Sequence, residues 1–180
     1  AEEIDPFDAA AKAALEAESN GGIFFKPGEV KNLTEKIKPA LVTVRQIGRD
    51  GNRRGIGAGF VVDKSGLIVT NLHVIGEGRS VEVEFEDGVI FPVTEVRAWD
   101  RNYDLAVLRI ESGDRKLSAL EIGDSGALEQ GQLIVGYGAP LGLEFSVAPG
   151  VVSAIRKLDP GFLDETPDYE MIQISMPIEQ

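Results

Sequence analysis

The chain has 180 residues, 43% of them apolar and 27% charged, which suits one ordinary domain or two small lobes sharing a core and excludes a wholly disordered chain. Eighteen basic against thirty acidic residues leave a formal charge of -12, so a polyanion such as nucleic acid meets repulsion over most of the surface. No apolar run reaches the roughly eighteen residues of a membrane-spanning helix, and the lack of cysteine excludes disulfides, a thiolate nucleophile and Cys-ligated metal centres.

The start, Ala1-Glu2-Glu3, carries neither an initiator Met nor a basic, apolar signal region, as expected of a processed secretory precursor or a trimmed chain. Pro6 to Glu18 is rich in alanine and spaces Phe7, Ala10, Ala14 and Leu15 as a short amphipathic helix does, with Asn20-Gly21-Gly22 stopping it. A second helix is predicted from Pro27-Gly28-Glu29 to Lys38, where Val30, Leu33 and Ile37 share a face and Pro39 closes the segment. Residues 1–39 therefore read as an N-terminal helical extension.

After Pro39 the period drops to two and β-branched residues dominate. Six strands are predicted, over Ala40–Arg45, Gly59–Val62, Gly66–Thr70, Ser80–Phe85, Val89–Val96 and Leu105–Ile110. No helical pattern long enough for a βαβ crossover intervenes, and turns such as Asp63-Lys-Ser-Gly66 and Asp87-Gly88 separate them. Residues 40–113 thus read as a closed or nearly closed antiparallel lobe. A second β region, 114–180, offers Lys116–Leu120, Gln132–Tyr137, Leu143–Ala148, Gly150–Ile155 and Glu170–Ile174. The acidic, proline-bearing stretch from Leu158 to Tyr169 reads as a loop.

The chain's one histidine, His73, follows the strand that ends at Asn71, a residue that readily turns or caps. Asp104 stands at the head of the last strand of the first lobe. An aspartate there either caps the strand end or accepts the Nδ1 proton of His73, fixing the tautomer in which Nε2 is a base. Asp100 reads as a loop acid or one that supports the site from behind rather than as a metal ligand, since no second histidine or dense carboxylate spacing accompanies it. Gly136-Tyr-Gly-Ala-Pro-Leu-Gly142 lacks the Lys-Ser/Thr of a phosphate loop.

The ordered set Gly57-Ala-Gly-Phe-Val-Val62, Gly66-Leu-Ile-Val-Thr-Asn-Leu-His-Val-Ile75, Asp100-Arg-Asn-Tyr-Asp-Leu-Ala-Val-Leu-Arg-Ile110, Leu120-Glu-Ile-Gly-Asp-Ser125, Gly131 to Gly142 and Gly150-Val-Val-Ser-Ala154 resembles the protease domain of HtrA-type trypsin-like serine proteases, over roughly Leu33 to Gln180. The resemblance implies an all-β, trypsin-like double β-barrel, the first barrel complete and the second incomplete, with short N-terminal helices. It implies His73 as general base and Asp104 as its orienting acid, with no metal and no organic cofactor. The family's nucleophile lies in a Gly-Asn-Ser-Gly-Gly segment. Met171 to Gln180 matches the lead-in to it, apart from Ile174, Ser175 and Glu179, which places the catalytic serine three positions beyond Gln180. The 180 residues alone are accordingly expected to be inactive.

Gly123-Asp-Ser-Gly126 spells a nucleophile signature, but Ser125 follows Asp104 by only 21 positions, too few for the strands that must precede a serine facing His73. It reads as a turn, and Ser153 and Ser175 are embedded in strands. The resemblance further implies a parent that degrades unfolded or damaged proteins in the periplasm or cell envelope, with PDZ domains and a trimeric assembly; Phe24 and Phe25 read either as a core contact or as an exposed patch that contributes to that assembly. The alternative reading is a non-catalytic protease-like module that binds peptides or scaffolds an assembly.

Overall fold

A computed structural model describes residues 25–26, 28–48, 51, 53–76, 80–138, 146–157 and 170–176. The expected helix over Pro6–Glu18, Phe24, and the loop from Leu158 to Tyr169 lie outside these. Helix α1 spans Glu29–Ile37 and runs into a single 3₁₀ turn at Lys38–Ala40, where Pro39 sits in the first turn and so sacrifices no helical hydrogen bond.

Six strands, β1 (Leu41–Ile47), β2 (Arg53–Asp63), β3 (Leu67–Asn71), β4 (Ser80–Phe85), β5 (Ile90–Asp100) and β6 (Leu105–Ile110), close into an antiparallel barrel in the order β1-β2-β3-β6-β5-β4. Closure follows from β1 pairing on both sides, Val44 lying opposite Gly57 of β2 and Val83 of β4. Alternation decides what faces in. Val81, Val83 and Phe85 of β4 and Ala106, Leu108 and Ile110 of β6 join Val42, Val44, Val61 and Ile68 in one buried cluster, each larger side chain contributing about 1.5–3 kcal/mol relative to exposure. On the outer face Glu84 forms an ion pair with Arg45, whose side chain is itself largely covered.

The connection after β6 seals the barrel. Leu117 is buried in the same cluster, the Arg115 guanidinium lies 4.5 Å from the Phe85 ring centroid, and Arg115 is paired with Asp87 at 2.7 Å. The predicted strand Lys116–Leu120 does not form. Leu120 instead donates its backbone N–H to the Val61 carbonyl at 2.8 Å, and its apolar neighbours act as a plug rather than as a ladder.

Beyond a 3₁₀ turn at Ser125–Ala127 lies a three-stranded antiparallel sheet, β7 (Leu133–Gly138), β8 (Ser146–Lys157) and β9 (Glu170–Ser175), in the order β7-β8-β9. The two strands expected over Leu143–Ala148 and Gly150–Ile155 are thus one long strand from Ser146 onward, Leu143 to Phe145 lying outside the described residues. A bulge between Val152 and Ala154 bends it against β9. Val152 is buried, whereas Val147, Ile155, Met171 and Ile172 keep more than a third of their surface exposed. The chain is therefore all-β with one closed barrel, one incomplete sheet and a short N-terminal helix. Helix α1 meets the sheet where the Thr34 and Tyr137 hydroxyls lie 3.1 Å apart.

Candidate active site

His73 lies on a single helical turn, α2 (Leu72–Ile75), directly after β3. Val74 and Ile75 anchor this turn in the barrel core, which leaves the His73 imidazole facing out with 71% of its side chain exposed. Asn71 holds the position before the turn, yet its side chain does not cap the helix. Its amide nitrogen donates instead to the Asp104 carbonyl at 3.0 Å.

Asp104 ends the four-residue loop between β5 and β6, whose last paired residues are Asp100 and Leu105. It alone among the described non-glycine residues has a positive φ, 51°, a conformation that Asp tolerates better than most residues. Strands β3 and β6 are direct neighbours, with Asn71 opposite Leu105, so the two loop ends meet by register. The Asp104 carboxylate accepts twice from His73, from the backbone N–H at 2.9 Å and from Nδ1 at 2.5 Å. Its carbonyl accepts from Leu72 N at 3.0 Å.

Partial burial, the largest single influence on Asp104, acts to raise its pKa. The hydrogen bonds from the His73 backbone and ring, the His73 charge and Asn71 together outweigh it and hold the carboxyl below its usual range. An ionised Asp104 keeps the Nδ1 proton on its own side and leaves Nε2 as the basic nitrogen facing outward.

Ser125 sits in the 3₁₀ turn that Asp124 organises by accepting from Gly126 N at 2.9 Å, and among the described residues it makes no hydrogen bond to His73. Ser153 and Ser175 lie within β8 and β9. Among the described residues no group of three or more His, Asp and Glu side chains is arranged to hold a metal, and no helix is long and apolar enough to cross a membrane. The Asn71 amide is a support that the sequence does not announce, whereas the Asp100 carboxylate, expected as a loop acid or one that supports the site from behind, accepts from Asn102 N and Tyr103 N at 2.8 and 3.2 Å. The spacing of Asp100 from Asn102 is the pattern of an Asx turn and was the available signal.

The trypsin-like peptidase domain family matches residues 57–180. Bovine "Serine protease HTR4" is 32% identical over 149 residues, covering 78% of this chain and 30% of its own. "Probable periplasmic serine endoprotease DegP-like" of Halomonas elongata is 36% identical over 113 residues, covering 63% of this chain and 23% of its own. A crystal structure of the serine endoprotease from Yersinia pestis superimposes with a TM-score of 0.64 at 27% identity, over 72% of this chain and 46% of that one. A six-stranded barrel that sets a histidine against an aspartate across neighbouring strand ends defines the class, and the chain belongs to the trypsin-like peptidases, among them to the HtrA-type serine proteases. It spans about a third or less of the length of these curated relatives.

Proposed function

We propose that His73 and Asp104 are the general base and its orienting acid in a serine endopeptidase that cleaves unfolded polypeptides. The observation that carries this reading is the double acceptance of His73 by one carboxylate. A carboxylate bound only to the ring would leave the imidazole free to swing. One that also grips the backbone N–H of the same residue ties ring orientation to main-chain position.

In this reading Nε2 takes the proton of a serine hydroxyl as its oxygen attacks the scissile carbonyl carbon, and passes that proton to the departing amine as the C–N bond breaks. Water then repeats the cycle on the acyl-enzyme, regenerating the hydroxyl. Asp104 stays ionised throughout and stabilises the imidazolium. The serine belongs to the segment expected three positions beyond Gln180, and the backbone donors of the oxyanion hole come from the same stretch. Residues 1–180 by themselves then have the base and its orienting acid but no nucleophile. The reaction needs no metal or organic cofactor. By likeness to relatives such as the periplasmic protein of Halomonas elongata, we place the parent in the periplasm or cell envelope, as a homo-oligomer, a trimer by family likeness. Phe25, half-buried and a few residues ahead of α1 in the chain, is one candidate contact.

The test is cleavage of unfolded casein by residues 1–180, by the same protein extended about thirty-five residues in its own reading frame, and by that longer form carrying His73→Ala. Losing the activated nucleophile removes the covalent route, and losing an oxyanion donor alone costs about 10²- to 10³-fold. The expected result is turnover by the extended protein only, abolished by His73→Ala. Equal turnover by the 180-residue chain refutes the assignment. An inactive extended protein with an intact Gly-Asn-Ser-Gly-Gly segment favours the non-catalytic, peptide-binding alternative.

A further inference from the structure

The geometry points to Asp100 as a positioning residue for Asp104: by fastening the loop Arg101–Asp104 from within, it turns both the carbonyl and the carboxylate of Asp104 onto the segment that carries His73. This rests on the reading of His73 and Asp104 as the working pair and deepens it. The loop is short, bounded by the Asp100–Leu105 pair of β5 and β6, and it must end with Asp104 in the left-handed region, at φ 51°. An L-residue disfavours that conformation, so something must hold it there.

Four hydrogen bonds act on Asp104 from the His73 side. Leu72 N and Asn71 Nδ2 donate to its carbonyl, each at 3.0 Å, while His73 N and Nδ1 donate to its carboxylate. On the loop side Asp100 Oδ1 binds the N–H groups of Asn102 and Tyr103 at 2.8 and 3.2 Å. Without that acceptor the two N–H groups turn to water and the loop relaxes toward commoner backbone angles. The Asp104 carbonyl then leaves Leu72 N, and its carboxylate can no longer face two atoms of His73 at once. The side chain of Asp100 never touches the imidazole, and its influence passes entirely through the loop backbone.

Two properties of Asp100 could matter, its acceptor oxygen and its charge, and conservative variants separate them. Asp100→Asn keeps an oxygen at the same reach without the charge. Asp100→Glu keeps the charge but sets the carboxyl one methylene too far for a turn closed two residues on. His73 is the chain's single histidine, so its ¹⁵N and low-field ¹H signals need no assignment. The experiment records them in the ¹⁵N-labelled 180-residue chain, with thermal melting to establish that each variant is folded.

The expected wild-type spectrum shows one tautomer, protonated at Nδ1, with a low-field Nδ1–H signal that Asp104→Asn abolishes. Asp100→Asn retains this spectrum. Asp100→Glu and Asp100→Ala lose the low-field signal and move the two ring ¹⁵N shifts toward each other. In the full-length protein the Glu and Ala variants lower kcat by about ten- to a hundredfold with little change in KM, the size of effect that misplacing a catalytic group produces, and Asn restores most of it. A folded Asp100→Ala or Asp100→Glu chain with the wild-type spectrum overturns the inference. So does an Asp100→Asn spectrum matching that of Ala, which would make charge the active property. A wild-type spectrum with no Asp104-dependent Nδ1–H signal refutes the underlying pair instead.

Discussion

Substituting alanine at Gly57 tests how tightly the His73 turn is seated. A methyl group at Gly57 would lie 2.5 Å from Val74 Cγ2 and 2.9 Å from Cγ1. Val74 is 7% exposed and stiff at χ1, so it cannot rotate aside. Overpacking of this kind costs about 1–3 kcal/mol. The alanine recovers about 0.4–1 kcal/mol by restricting the unfolded chain, which leaves a net loss near 1 kcal/mol and a Tm lower by about 2–4 °C for a chain of this size. Val74→Ala alone removes two buried methyls, at about 0.8 kcal/mol each with a cavity term added, or about 2 kcal/mol. Combined with Val74→Ala, the Gly57→Ala methyl has room, so the double variant is no less stable than Val74→Ala. The coupling is about 1–2 kcal/mol. Urea titrations of the four proteins measure it, with the His73 ¹H and ¹⁵N signals reporting whether the turn has shifted. Strict additivity, or a Gly57→Ala chain as stable as the wild type with unmoved His73 signals, refutes the close contact between β2 and the His73 turn.

The depressed Asp104 pKa fixes a pH dependence. The advantage of wild type over Asp104→Asn is fully present above the unfolded value of about 3.9 and disappears as pH falls through the lower folded value. Urea midpoints of both proteins between about pH 2 and 7 check this, and a difference that grows on acidification contradicts it. Gly66→Ala is expected to be the more damaging glycine substitution. Gly66 has φ 98°, and a Cβ there would meet the Ile110 carbonyl oxygen at 2.4 Å, disturbing the pairing between Gly66 O and Ile110 N. Backbone strain of about 1–2 kcal/mol adds to the lost hydrogen bond of about 0.5–1.5 kcal/mol, and a Tm drop of only a degree would contradict the account.

Strands β4 and β6 were legible to the residue because strict alternation over six positions admits no other reading, Ser80–Phe85 and Leu105–Ile110 burying every second side chain. Strand β2 begins well before Gly59, since Gly55 and Gly57 have no strand preference of their own and are held by pairing with Gln46 and Val44. Strand β5 runs on to Asp100 through two bulges that break the period of two just where the sequence pattern fades. Helix α2 was invisible, because four residues cannot display a helical period. His73 and Asp104 stand out by motif as candidates, but the feature that most constrains their geometry does not. The bond from the His73 backbone N–H to Asp104 depends on a left-handed backbone at a non-glycine residue, for which the sequence has only the weak signal of an aspartate in a loop.

Labelling of the full-length protein with a fluorophosphonate, followed by mapping of the modified peptide, tests the central claim most directly, because only a serine activated by a neighbouring base reacts. The account predicts one labelled serine, lying beyond Gln180 in a Gly-Asn-Ser-Gly-Gly segment, lost in His73→Ala and unaffected by Ser125→Ala. A label on Ser125, or a folded protein whose labelled serine reacts equally well without His73, contradicts it.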